Sequence, residues 1–470
     1  MKKFFILFLL FTVQLSVVLG QKYPSPELFL SQLIQIESYS GCEVEVARDI
    51  TEWSIHQGFY VTDFNMDGDT KNILVSLYPL SSKKPNIVFT SHMDVLTANN
   101  LEDWKHNPFG GEIIEDTIWG RGAIDCKGLA VMQLYGMKQF KDSLKDIELP
   151  YNISFLGLAE EETSSKNGAA LVSELFLDSI NAIVMFGEGG AGLTDVLKSN
   201  PQAPIFGVSV ADKSSLWLKI TAEGGGFGHG AIPTDLYANK RLIKGLIRLL
   251  DEKKSVTFNP LVMEMFHDLG NLEKGMRKFI LKRINWRIFW PLVKKSFADD
   301  QPFSVLLDNT FSITSIQSSA TVANEMSQKA SAVLDCRMLP GTDVEQFMKD
   351  MKRTLGSKIS IKILNEGVSA QPSPTNQFFH LMSESIREVH PEAHTIPILF
   401  PASTDNNYFR RKGIPVYGII PSVLDTELFE TVHSSNERIG VDNLHKGIAV
   451  YYEFLKRCMK VTFSMKSDKY

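Results

Sequence analysis

The run "NIVFTSHMDV" sets His92 and Asp94 two residues apart where an apolar segment ends, and Asp125 follows 33 positions after His92 inside the glycine-bracketed "WGRGAIDCKG". Further along stand three consecutive carboxylates, Glu160, Glu161 and Glu162, then Glu188 in "MFGEGG" and His433 in "VHSSNERI". Imidazole nitrogen and carboxylate oxygen are donors that zinc accepts, and a catalytic site keeps one coordination position open for water. Two metals about 3.5–4 Å apart need a bridging carboxylate, and together they clamp the attacking and the developing oxygens. Five ligands and one carboxylate free to move a proton would make such a centre. A lone histidine after a strand is more often a hydrogen-bonded structural residue. The argument therefore rests on recurrence, with a ligand-type residue at nearly every expected strand end.

Rigid elements must hold those positions. From about residue 26 to 210, helical patterns ("SPELFLSQLIQIES", "EVEVARDITEWSIHQG", "LAVMQLYGMKQFKDSL") alternate with short apolar runs ("NILVSLYP", "NIVFTSHMD", "NISFLGLAE", "AIVMFGE"). That alternation predicts an α/β layer with a central, mostly parallel sheet, whose site lies beyond the carboxyl ends of its strands. Near residue 211 the pattern changes to period two in "SLWLKITAEGGG", followed by the amphipathic "DLYANKRLIKGLIRLLDEK". Then "FSITSIQSS", "SAVLDCRML", "TDVEQFMKDMKRTLG" and "ISIKILNEG" complete the order β-α-β-β-α-β of a ferredoxin-like α+β module. The expected boundaries are 21–210 for the first part of an α/β domain, 211–366 for the inserted module and 367–470 for the second part.

Within the module, residues 256–310 form an interruption containing "MRKFILKRINWRIFWPLVKKSF". Met276, Phe279, Ile280, Ile284 and Ile288 fall at helical spacing, among seven basic residues between positions 277 and 295. The stretch reads either as a helical insertion packing on its own domain or as a basic, aromatic element that touches lipid or guards an acyl chain. "GEGGAG" at 187–192 lacks the spacing of a phosphate-binding loop.

The chain has 470 residues, 49 basic and 54 acidic, so its formal charge of −5 gives no sign of nucleic-acid binding. Residues 1–20 carry Lys2 and Lys3 ahead of an apolar run and end in Gly20, which reads as a signal peptide for a secreted or periplasmic protein. A retained membrane anchor is the alternative, and after cleavage no membrane span is expected. Cys42, Cys126, Cys336 and Cys458 are too few for a disulfide scaffold. Only Cys42 with Cys458 is a plausible bridge.

The ordered set "SHMDV", "GRGAIDCKG", "AEEETSSKNGA", "FGEGG", "GHGAIP", Asn324 with Arg337, "STDNN" and "HSSNERI" resembles the two-zinc aminoacylase/carboxypeptidase family of metallopeptidases. That family includes carboxypeptidase G, carboxypeptidase S, succinyl-diaminopimelate desuccinylase and the N-fatty-acyl-amino-acid hydrolase. The long element near 256–310 is most similar to the carboxypeptidase S and fatty-acyl branch. The resemblance runs from about residue 26 to the C-terminus. It implies a zinc-exopeptidase-like catalytic domain with an inserted lid or dimerisation domain, two zinc ions per subunit (cobalt or manganese being possible substitutes) and a possible homodimer.

Carried over residue by residue, it implies His92 and Glu188 on one zinc, Glu162 and His433 on the other, and Asp125 bridging. Asp94 would orient His92. Glu161 would be the general base, His229 in "GHGAIP" the oxyanion donor, and Asn324 with Arg337 the binders of a substrate carboxylate. The acidic run leaves two registers. Numbering from Gly157 makes Glu160 the base and Glu161 the ligand. Numbering from "SKNGA" makes Glu161 the base and Glu162 the ligand, and this second register is preferred. The implied activity is hydrolysis of a dipeptide, a peptide or an N-acyl amino acid with a free carboxylate, against a non-catalytic zinc-bearing receptor or binding module on the same fold. Two departures fall in the substrate pocket: "NEMS" stands at 324–327, and Asn407 replaces the usual arginine in "TDNN".

Overall fold

The apolar runs flanking the histidine turn are buried along their whole length. Strands β3 (Asn86–His92) and β6 (Asn152–Leu158) have no exposed residue. The structure is a computed structural model that describes residues 24–64, 70–145, 147–225, 229–231, 237–252, 257, 259–286 and 305–461. The expected signal peptide lies outside the described residues. Contacts divide the chain into two units, one of Met1–Thr163, Ser179–Asn181 and Leu424–Phe463, the other chiefly of Ser164–Asp178 and Ala182–Val423.

In the first unit the strand order is β1 (Tyr60–Asp63), β2 (Ile73–Ser76), β6, β3. The β1–β2 and β2–β6 pairs are antiparallel, and β3–β6 is parallel. A parallel pair needs a crossover, and α3 (Lys127–Ser143) lies between β3 and β6 in sequence. Helices α1 (Pro26–Ile34), α2 (Val44–His56) and α9 (Val441–Cys458) complete the layer. Phe29, Trp53 and Tyr135 interlock α1, α2 and α3, with ring centroids 5.4 Å apart for Phe29–Trp53 and 4.8 Å for Trp53–Tyr135. Helices α3 and α9 cross closely at glycines. A Cβ on Gly136 would stand 2.7 Å from the Tyr451 Cβ, and one on Gly447 would stand 2.3 Å from the Met132 sulfur. A small antiparallel sheet of β15 (Arg438–Gly440), β5 (Thr117–Trp119) and β4 (Ile113–Ile114) ties the segment after His433 to the segment before Asp125.

The second unit holds β7 (Ala182–Leu193), β14 (Val416–Leu424), β8 (Ile205–Asp212) and β13 (His394–Phe400), in that order, with β8 and β13 parallel, and helix α8 (Gln377–Val389) precedes β13. The glycines of "GEGGAG" belong to β7. A Cβ on Gly190 would lie 1.9 Å from the Gly207 carbonyl oxygen, so the strands' close approach requires glycine there.

The same unit contains the module β9 (Ser214–Glu223), α4 (Ala238–Asp251), β10 (Thr310–Ser318), β11 (Lys329–Met338), α7 (Val344–Leu355) and β12 (Ile359–Glu366). Its sheet order is β10-β11-β9-β12, antiparallel throughout, which is the ferredoxin-like arrangement. Alternating burial along β9 turns Leu216, Leu218 and Ile220 onto Leu242, Leu246, Met351 and Leu355. Helices α5 (Pro260–Leu272) and α6 (Gly275–Leu281) of the insertion pack elsewhere. Val262, Met265, Phe266 and Leu269 join Ile205, Ile396 and Leu399 of β8 and β13. Of the spaced apolar residues, Ile284 is buried while Met276 and Phe279 are exposed, and Ile288 lies outside the described residues.

One expectation is corrected. All four cysteines are free, with Cys42 exposed and Cys458 buried, so no bridge joins them. Among the described residues no helix is long and apolar enough to cross a membrane.

Candidate metal centre

His92 is the last residue of β3, and its ring is fixed at both nitrogens. Nδ1 lies 2.9 Å from the carbonyl oxygen of Asp94, so the Nδ1 proton is donated there. Nε2 then faces Asp125 Oδ1 at 2.9 Å. The other oxygen of Asp125 lies 2.8 Å from His433 Nε2, so one carboxylate spans two imidazoles, an oxygen to each. Glu162 comes to the same place, with Oε2 3.6 Å from His433 Nε2. Potential ligand atoms of Asp125, Glu162 and His433 all lie within 4.8 Å of one another, as do those of His92, Asp125 and the buried Cys126. His92 is 2% exposed at its side chain and His433 is 55% exposed, so the pair has a closed side and an open one.

Asp94 reaches further than His92. The carboxylate expected to orient His92 has Oδ1 3.5 Å from Nδ1, and the Asp94 backbone carbonyl contacts the same nitrogen at 2.9 Å. The carboxylate also accepts the amides of Glu161 and Glu162, each at 3.1 Å, and the Ser40 hydroxyl at 2.6 Å. It thereby aims the acidic run. Glu160 starts that run with φ of +59°, and its amide donates to Glu43 Oε1 at 3.2 Å.

The charges fit a cation. Burial alone would raise the Asp125 pKa, yet hydrogen bonds from His433 and His92 hold it well below the usual carboxylate range. Burial, and then the Asp125 charge, push Glu162 upward. With Nδ1–H committed to a carbonyl, a neutral His92 presents its Nε2 lone pair to an anionic oxygen. Only a proton or a metal ion between them makes that contact favourable. The donor set is of the nitrogen and oxygen type that zinc takes.

The remaining expected residues lie in the second unit. Glu188 is carried on β7, where its carbonyl accepts the Asn406 amide at 2.8 Å. His229 is exposed and bridges to Glu325 in backbone register. Its Nδ1 accepts the Ala231 amide at 3.1 Å, which leaves Nε2 as the donor. Asn324 is exposed close by, its carbonyl accepting the Gly230 amide at 2.8 Å. Arg337 is not with them. It sits near the far end of β11, a strand that begins five residues after Asn324 and spans roughly 25 Å from Lys329 to Arg337. Its guanidinium is paired with Asp335, Nη2 to Oδ2 at 3.0 Å and Nε at 3.2 Å. Asn407, which stands where the resemblance implies arginine, is buried and accepts from Arg410 Nη1 at 3.2 Å. Arg410 is buried as well, 2.6 Å from Asp212.

Sequence reasoning missed several supports. Ser38 donates to the Met93 carbonyl at 2.7 Å. Lys127 Nζ donates to the carbonyls of Leu33 and Ile36 at 2.8 and 2.7 Å, satisfying acceptors at the end of α1, and burial lowers its pKa to about 7. Lys127 and Glu437 sit in the quoted motifs, but nothing in their spacing says what they touch.

The model of Peptidase family M20/M25/M40 matches residues 88–457. The chain is 24% identical over 387 residues to the probable carboxypeptidase S-like 2 of Dictyostelium discoideum, covering 81% of this chain and 72% of that protein. It is 23% identical over 390 residues to the N-fatty-acyl-amino acid synthase/hydrolase PM20D1 of Homo sapiens, covering 81% and 76%. Among solved structures, the M20 family metallo-carboxypeptidase Sso-CP2 from Sulfolobus solfataricus superposes with a TM-score of 0.66 at 20% identity, over 92% of this chain and 99% of that one.

Proposed function

The chain belongs to peptidase family M20/M25/M40, and from that premise we propose that it is an exported, two-zinc hydrolase that releases an amino acid with a free carboxylate from a dipeptide or an N-acyl amino acid. The observation that carries the reading is Asp125 with one oxygen to each of two imidazoles. His92 and Glu188 would hold one zinc, Glu162 and His433 the other, with Asp125 between. When bound, the metals supply Lewis acidity to the scissile carbonyl and bring water's pKa toward neutrality.

The chain's own residues do the rest. Glu161, whose backbone is held by Asp94, takes the proton of the attacking water and returns it to the leaving amine. Glu162 as ligand, and so Glu161 as base, is favoured by the proximity of Glu162 to Asp125 and His433. His229 donates from Nε2 to the carbonyl oxygen as charge develops. Arg337 binds the substrate carboxylate through its planar fork. The length of β11, which Asn324 precedes and Arg337 nearly ends, supports a homodimer in which His229 and Asn324 serve the partner's site. Export rests on the N-terminal twenty residues.

The test is metal content measured alongside turnover. Purified protein should hold two equivalents of zinc, and a chelator should abolish hydrolysis. Substrates carrying acetyl, long-chain acyl or aminoacyl groups on one shared C-terminal amino acid would then name the class. Less than one equivalent of zinc, with chelator-insensitive turnover, would defeat the reading. Zinc bound without hydrolysis of any of the three would favour a binding module.

A further inference from the structure

Four residues after His433 stands a carboxylate with no part in the chemistry above. Glu437 is fully buried, and its two oxygens accept four hydrogen bonds. Oε2 takes Arg121 Nη1 at 2.8 Å and the Gly122 amide at 3.0 Å. Oε1 takes the Ile124 amide at 2.9 Å and the Asp125 amide at 3.0 Å. Every donor comes from the loop that ends in Asp125, and the Glu437 carbonyl also accepts the Gly120 amide at 2.9 Å.

We propose that Glu437 is a positioning residue for the metal centre, clamping the 120–125 loop so that the Asp125 carboxylate meets His92 and His433 together. The clamp joins the two segments that must agree in register, because His433 and Glu437 share one turn while Asp125 and its amide share the other. Gly122 has φ of +87°, so the loop adopts a shape that ordinary side chains resist and needs outside acceptors to hold it. A buried carboxylate is suited to this, since charge-assisted bonds to backbone amides are short and strong. An amide cannot substitute. Glutamine at 437 would turn an NH2 group toward donors and leave the Arg121 charge, 5% exposed, without its counter-ion.

The inference rests on the metal-site reading, so zinc binding to the wild-type chain is measured first. No binding there would sink the site itself. Given wild-type binding, zinc affinity of the metal-stripped chain is compared for Glu437→Gln and Glu437→Asp, with circular dichroism to monitor folding. Asn436→Ala serves as the control. Asn436 fastens a different loop, accepting the Lys105 amide at 2.7 Å and donating to the Asp103 carbonyl at 3.0 Å. Zinc affinity should fall about 10–100-fold for a position-437 variant, the range for outer-shell partners of metal ligands. Asn436→Ala should lose thermal stability yet bind zinc within about twofold of wild type. If Glu437→Gln does not fold, Glu437→Asp decides on the same criterion. Position-437 variants that bind zinc as wild type does, or an Asn436→Ala loss as large as theirs, would overturn the proposal.

Discussion

The metal centre and the ferredoxin-like module treat their polar side chains in opposite ways. Around Asp125 the key groups are buried and fixed at more than one atom: His92 at both nitrogens, Asp94 by two amides and a hydroxyl, Glu437 by four donors. In the module, His229 and Asn324 are exposed, and Arg337 is paired with its own strand neighbour. Preorganisation is worth most where charge must be held before substrate arrives. Recognition groups at a surface can be assembled later, by closure or by a second copy, and closure of that kind also excludes water. Under the proposed roles, the contrast would put metal binding and proton transfer in one region and substrate recognition in the other.

The largest effect is expected at the base. Glu161→Gln should lower turnover by about 10²–10⁴-fold, the usual contribution of a positioned proton-transfer group, while leaving zinc content at two equivalents. Glu162→Gln should do the reverse and reduce zinc occupancy, because its carboxylate lies beside Asp125 and His433. A dead, metal-replete Glu160→Gln would shift both roles back by one residue.

How much of this could be read from the chain depends on what each residue touches. The strands flanking His92 were legible because their apolar runs are buried on both faces, and the β-α-β-β-α-β order of the module followed from a change of period near residue 211. The acidic run was not decidable by counting alone. Its course turns on Glu160 entering the left-handed region, after which the amides of Glu161 and Glu162 both point to Asp94. The Asp94 carbonyl contact and the Glu437 clamp were invisible, since both act through backbone groups that no side-chain motif records. Arg337 and Asp335 lie on one face of β11 by simple alternation, yet a pair of that kind gives no sign of whether substrate displaces it.

That pair gives the next sharpest test. Arg337→Met should raise KM for a carboxylate-bearing substrate about 10–100-fold, as expected for loss of hydrogen bonds to a charged group worth about 1.5–3 kcal/mol. Asp335→Asn should lower KM severalfold, because it frees the fork that Asp335 occupies. Steady-state kinetics on one N-acyl amino acid separates the cases. A higher KM for Asp335→Asn would make Asp335 a partner that holds Arg337 in place for substrate.

The smallest effect belongs to the brace beneath the acidic run and should appear in stability. Glu43 is fully buried, and its Oε1 accepts the amides of Gly41 at 2.7 Å and Glu160 at 3.2 Å. Burial, opposed by those amides and aided by the Asp94 charge, raises its pKa from 4.5 to about 7. A raised acid keeps its proton in the folded chain after the unfolded chain has lost it. Between pH 4.5 and 7 the unfolded state therefore binds fewer protons, and stability falls as pH rises through that window. The cost is at most about 3.5 kcal/mol by the pH at which both states are ionised, at 1.36 kcal/mol per pKa unit. Glu43→Gln keeps one acceptor oxygen and removes the titration. Melting curves of the metal-free protein from pH 5 to 8 should thus be flatter for the variant than for wild type, with the two differing most at pH 8. Parallel curves would mean that Glu43 ionises in the folded chain as easily as in the unfolded one, and that the amides of Gly41 and Glu160 fully offset its burial.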